Sequence, residues 1–358
     1  MHLLGGDLIR LFFPLYSRCA VFTMRAVHST CSLFCLKALC AAMLLFACGK
    51  NDARLIPDGS HLSATNQGLI LGQPISVDGV LRQFHLYVPM EAHAAPIVFL
   101  LHGHTGSANQ IIGLNNLPAP FKQWIDIAER EQITLIIPDG AKGPEGTQGW
   151  NDCRTDAPTN PSTDDVAFLS AVRAKVIDEL EVVNPRTFAT GISNGGFMTM
   201  RLAEENPFAL DAIAVIVSSR PVNSACADSN APLSVLFMNG TDDPITPYGG
   251  GRIKGDRGEV TSTNDTVNYW VTRNQTSSNA QMVEYPDIDP NDNSLVRRYS
   301  YSDGLSNSVV EHYEVVGGGH VEPSRTERFG ALYKLIVGEQ NNDIEMADEV
   351  WAFFKARL

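Results

Sequence analysis

The sequence predicts an α/β fold: one mostly parallel central sheet with helices on both faces, entered through an antiparallel N-terminal hairpin. Three observations predict it. Residues 96–103 (PIVFLLHG) and 133–140 (ITLIIPDG) are continuous apolar runs, the pattern of parallel strands buried on both faces. Stretches of helical character alternate with such runs along the chain. Around Asp78-Gly79, by contrast, apolar and polar residues alternate on both sides of a DG pair, which is a hairpin signal.

In chain order, the hairpin falls in GQPISVDGVLRQFHLYVP, and the first two buried strands follow it. Helices are expected over Phe121 to Arg130 and Asp164 to Leu180. Next comes the strand RTFATG (186–191), which runs directly into a helix from Asn194 to Glu205. AIAVIVSS and LSVLFMNG continue the buried series, and Val260 to Thr272 has helical character. SLVRRYSYS and VEHYEVVGGGH are late strands, and Ile344 to Leu358 is an amphipathic closing helix. With no Pro/Ser-rich linker in between, residues 67–358 read as one domain.

Composition excludes several functions. The 358 residues carry a formal charge of −13 with no Lys/Arg run, which disfavours nucleic acid and anionic surfaces as partners. No GxxxxGK[ST] loop, no GxGxxG after a strand and no repeat period is visible. The N-terminal region differs in kind. From Met24, a possible true start, Arg25 and Lys37 precede an apolar run from Ala38 to Ala47, the layout of an export signal over residues 1–47. That run of about ten residues is half what a bilayer span needs. LFAC (45–48) is similar to a lipobox, so Cys48 is the expected lipidation site, residues 48–66 a tether, and the lipid the only membrane attachment. Gly49 after it points to an outer-membrane lipoprotein facing the periplasm or exterior. Five of seven cysteines lie at or before Cys48, leaving Cys153 and Cys226, which in an exported protein are expected to pair.

The chemistry centres on ATGISNGGFM (189–198). Ser193 sits where a buried strand turns into a helix, the setting of a nucleophile elbow. Gly191 and Gly195 remove Cβ atoms that would collide across so sharp a turn. The bland alternative for Ser193 is a helix N-cap. A serine nucleophile needs a base held by an acid, delivered here in the chain order Ser, Asp/Glu, His. Two histidines follow Ser193. His312 lies inside a strand and reads as packing, whereas His320 ends a strand in a glycine loop and is the expected base. TDDP supplies Asp242 and Asp243, and Asp243, fixed by Pro244, is preferred as the acid. The oxyanion needs two donors. The Asn194 backbone N–H is one, and LHGHTGS supplies the other, with His104 preferred and Thr105 second. His102 and His104 lack a third ligand nearby, so no metal is expected. Trp150, in a Gly-rich loop, is a candidate wall of the substrate pocket, the alternative being packing against Cys153.

LHGHTGSA, GWNDCR, DDVAFLSAV, GISNGGFM, NGTDDPITPYGGG and GGGH together resemble the polyhydroxybutyrate depolymerase and feruloyl esterase family of α/β-hydrolases. The resemblance runs from about residue 70 to the C-terminus. It implies Ser193, Asp243 and His320 as a catalytic triad, no cofactor, and a monomer acting on small or oligomeric esters. Hydroxyalkanoate and hydroxycinnamoyl esters are the implied substrates, soluble short esters being favoured over polymer films. Departures from the family sit at His104 and at HVEPS after His320. A prolyl-oligopeptidase-type peptidase or a non-catalytic lipoprotein on the same fold are the rival readings.

Overall fold

The computed structural model describes residues 67–358 apart from Pro207. The expected signal region (1–47), Cys48 and the tether (48–66) lie outside the described residues. Among the described residues, no helix is long and apolar enough to cross a membrane.

Ten strands form the main sheet: β1 (Gly68–Val77), β2 (Val80–Val88), β3 (Ile97–Leu101), β4 (Thr134–Pro138), β5 (Thr187–Ile192), β6 (Ala212–Ile216), β7 (Ser234–Gly240), β8 (Gln281–Glu284), β9 (Leu295–Tyr301) and β10 (Val310–Val316). Their order across the sheet is β1-β2-β4-β3-β5-β6-β7-β10-β9-β8. The strands from β4 to β10 in that order are mutually parallel, and antiparallel strands flank them at both edges. The hairpin turn is where the DG pair placed it. Val77 faces Val80, and Asp78 and Gly79 take φ of 51° and 77°, as a primed two-residue turn requires.

Among the described residues, six helices of seven residues or more follow in chain order: α1 (Gln123–Glu131), α2 (Asp165–Glu179), α3 (Asn194–Glu205), α4 (Thr263–Asn274), α5 (Ala331–Val337) and α6 (Met346–Lys355). Alternate residues of each parallel strand feed two cores. Phe99, Leu101 and Val215 meet α2, α3 and α4 through Phe168, Phe197 and Trp270. Val98, Leu100 and Ala214 meet α1 and α6 on the opposite face through Trp124 and Phe354. Burial on both sides is why these strands carry no polar alternation. α4 starts three residues later than expected because Ser262 caps it, its Oγ accepting the Asp265 N–H at 3.0 Å.

One buried ion pair binds the hairpin to the body. Arg82 Nη1 lies 2.8 Å from Asp165 Oδ1, and Arg82 also donates to the Asp139 carbonyl at 2.9 Å. The other Asp165 oxygen accepts the Asn151 N–H at 2.7 Å. The pair therefore also anchors the loop that passes beneath the site.

Candidate active site

The carboxyl ends of the parallel strands bring the predicted residues together. Ser193 follows β5, Asp243 follows β7, His320 follows β10, and the loop from His102 to Gly106 follows β3. Open α/β sheets place their ligand crevices at this edge.

Ser193 is strained, with φ 53° and ψ −120°, and it is the residue immediately before α3. Its hydroxyl makes no capping bond to the helix. Instead Ser193 Oγ lies 2.9 Å from His320 Nε2, and His320 Nδ1 lies 2.7 Å from Asp243 Oδ2. The N-cap alternative is thereby excluded. Asp243 is buried, and its other oxygen accepts the N–H groups of Ile245 and Thr246 at 2.7 and 2.8 Å. Those bonds leave Oδ2 one orientation, toward the imidazole. Asp242 is exposed, its carboxylate bonded to the Thr241 hydroxyl.

The turn closes only without side chains. A Cβ on Gly191 would stand 2.4 Å from the Gly195 carbonyl oxygen, and one on Gly195 would stand 2.1 Å from that of Leu101. Gly103 runs alongside, where a Cβ would be 3.6 Å from the Ser193 Cβ. In the loop that follows, Thr105 N–H is taken by the Gln148 carbonyl at 2.8 Å. The His104 and Asn194 N–H groups, one in that loop and one immediately after Ser193, have no such partner among the described residues.

The Asn194 side chain is equally constrained. Its Oδ1 accepts the Trp150 N–H at 2.7 Å, and its Nδ2 donates to Asp152 Oδ2 at 2.7 Å. Asp152, itself buried, is paired with Arg154, whose guanidinium lies 3.9 Å over the Phe197 ring. The Cys153–Cys226 disulfide holds this loop from its far side, closing a span of 73 residues. In the chain-entropy account such a closure stabilises by about 4 kcal/mol. Asp152 and Arg154 were not among the expected functional residues, and their only signal was the GWNDCR segment.

Trp150 does not line the cleft, contrary to expectation. Its ring is fully buried, donates from Nε1 to the His102 carbonyl at 2.8 Å and packs on the His102 ring. A glycine-rich loop signals close approach, and here what approaches is the protein's own loop after β3 rather than a ligand. Both His102 nitrogens are occupied, Nδ1 by the Gly103 carbonyl and Nε2 by the Gly140 N–H. His312 is packed between Tyr248 and Tyr299, and burial pushes its pKa down to about 4.

A cleft of about 290 Å³ opens above Ser193 and His320. It is lined by Phe329, Tyr333 and Ile336, the last two on α5, together with Glu322, His104 and Arg257. Burial pushes the Glu322 carboxyl up to about 7 from 4.5. A carboxyl with a raised folded pKa contributes stability that is full below pH 4.5 and is lost as the pH rises through about 7. Glu322→Gln should therefore unfold at higher urea than the parent at pH 8, by on the order of 3 kcal/mol, with the difference closing at pH 4. Equal urea midpoints at pH 8 would show that Glu322 carries no buried charge.

No family model matches the chain. Against "Probable feruloyl esterase C" of Aspergillus flavus it is 29% identical over 188 residues, 50% of this chain and 63% of that protein. The chain thus spans less than two thirds of that relative. A protein named as an esterase, NocK, from Nocardia uniformis subsp. tsuyamanensis is 25% identical over 288 residues, 76% of this chain and 79% of the relative. These relatives support a feruloyl esterase-type α/β-hydrolase family for the chain. An acetyl xylan esterase structure from Aspergillus awamori aligns over 76% of this chain and 94% of its own, with TM-score 0.47 and 13% identity. The parallel sheet, the elbow after β5 and the chain order Ser, Asp, His agree with the α/β-hydrolase fold.

Proposed function

We propose that the chain is an exported serine ester hydrolase that works through an acyl-enzyme. The observation that carries this reading is the continuous hydrogen-bonded line from Ser193 Oγ through His320 to buried Asp243, set at the floor of a cleft beside two unengaged N–H groups. Ser193 attacks the ester carbonyl as His320 Nε2 takes its proton. Asp243 holds the Nδ1–H tautomer and stabilises the imidazolium. The carbonyl oxygen, now negative, is received by the His104 and Asn194 N–H groups. His320 returns its proton to the departing alcohol, and water repeats the sequence on the acyl-enzyme to release the acid.

The cleft volume sits at the lower end for small-molecule sites, which suits one short acyl chain or one aromatic ring. Short hydroxyalkanoate or hydroxycinnamoyl esters are the substrate classes proposed, the second in line with the names of the relatives. A disulfide between the described cysteines supports export. Incubation with a fluorophosphonate probe should label one site, mapped by mass spectrometry to Ser193, and butyrate or ferulate esters should block the labelling. An unlabelled native protein, or labelling blocked by peptides and not by esters, would overturn this reading.

A further inference from the structure

Two residues lining the cleft, His104 and Arg257, carry buried polar atoms that nothing among the described residues satisfies. The His104 side chain is 5% exposed, yet neither ring nitrogen has a hydrogen-bond partner. Glu145 Oε2 is 3.9 Å from Nε2, beyond hydrogen-bond reach, on a side chain that is 56% exposed. Arg257 is half-buried, its Nε is buried without a partner, and its guanidinium enters no ion pair among the described residues. Arg154 beside it is different, because Asp152 neutralises that charge at 2.7 Å. Both Arg257 and His104 border the main cleft and also a smaller recess, and Ser193 borders both.

Buried donors left without partners are costly and are retained where a ligand completes them. Glu145 acts on Arg257 only through space, without an ion-pair contact. A guanidinium with no contacting carboxylate calls for an anion, and its planar fork matches a carboxylate. Burial and Arg257 both depress the His104 pKa, so the ring is a neutral donor-acceptor beside the cation. The chain is acidic overall at −13, so its long-range field cannot supply this preference.

We propose that His104 and Arg257 form a carboxylate subsite, and that the esters taken by this cleft bear a free carboxylate near the scissile carbonyl, hemiesters of dicarboxylic acids being the simplest. The proposal rests on the ester-hydrolase reading above. It is tested with mono-p-nitrophenyl glutarate against p-nitrophenyl butyrate, which share a leaving group and differ in the distal carboxylate. The unmodified chain should favour the glutarate ester in kcat/KM, less so as salt is raised. Arg257→Gln should reduce the glutarate-to-butyrate ratio at least tenfold, and Arg257→Lys should restore part of it. An unchanged ratio in Arg257→Gln, or an equal fall on both esters, would overturn the subsite. Should neither ester be turned over, the hydrolase reading fails, and calorimetric binding of glutarate to the full chain decides the subsite. Saturable binding that glutaramide does not reproduce and Arg257→Gln abolishes supports it; no binding above glutaramide refutes it.

Discussion

Ser193→Ala is expected to lower kcat on p-nitrophenyl butyrate by several orders of magnitude, on the order of 10³ to 10⁶, while the urea midpoint stays close to that of the parent. The reason lies in what the hydroxyl does. Its one hydrogen bond goes to His320, and it makes none to the helix, so alanine removes a reacting atom and no structural contact. The backbone at φ 53° is retained by packing, because the Ser193 N–H is held by the Ile216 carbonyl and the Ser193 carbonyl by the Ser218 hydroxyl. Stopped activity together with early unfolding would point to a structural serine. Undiminished hydrolysis would remove the mechanism altogether.

Asp243→Asn is expected to cost about 10⁴ in kcat, and Asp242→Asn under threefold. An amide at 243 keeps an oxygen for the Ile245 and Thr246 N–H groups and turns its NH₂ toward His320. That donor faces Nδ1 and forces the proton to Nε2, so the ring no longer accepts from Ser193. Asp242 is exposed, bonded to its neighbour's hydroxyl, and touches none of this. Steady-state rates on one ester decide between them, and a larger loss at 242 would move the acid by one residue.

Ser193, His320 and Asp243 were legible because each is tied to a local pattern: an elbow that demands glycines, a glycine loop after a strand, and an Asp-Pro pair at a strand end. The buried strands were legible from apolar run alone. Edge strand β8 was not, since its residues QMVE are all exposed and pack no face. α5 was missed for the opposite reason. Leu332 and Leu335 are 75% and 83% exposed, so its apolar residues do not mark a core-facing stripe. Trp150, Arg257 and Glu322 were misplaced or unseen because their meaning depends on which loop crosses in front of which. That is settled by packing between segments distant in sequence, as with the Asn194 amide and Asp152.

The floor of the cleft is backbone laid against backbone. Beyond the elbow glycines, a Cβ on Gly240 would stand 2.2 Å from the Gly318 carbonyl oxygen and 2.4 Å from that of Gly319. Nothing at those positions can be exchanged for a larger residue without moving a strand. In a randomised library, then, survivors should be sharply partitioned: floor positions return glycine, and diversity collects at His104, Arg257, Glu322 and Tyr333. On the hydrolase reading proposed above, descendants of this sequence can change which ester they prefer by substitution at the rim while inheriting the reaction unaltered.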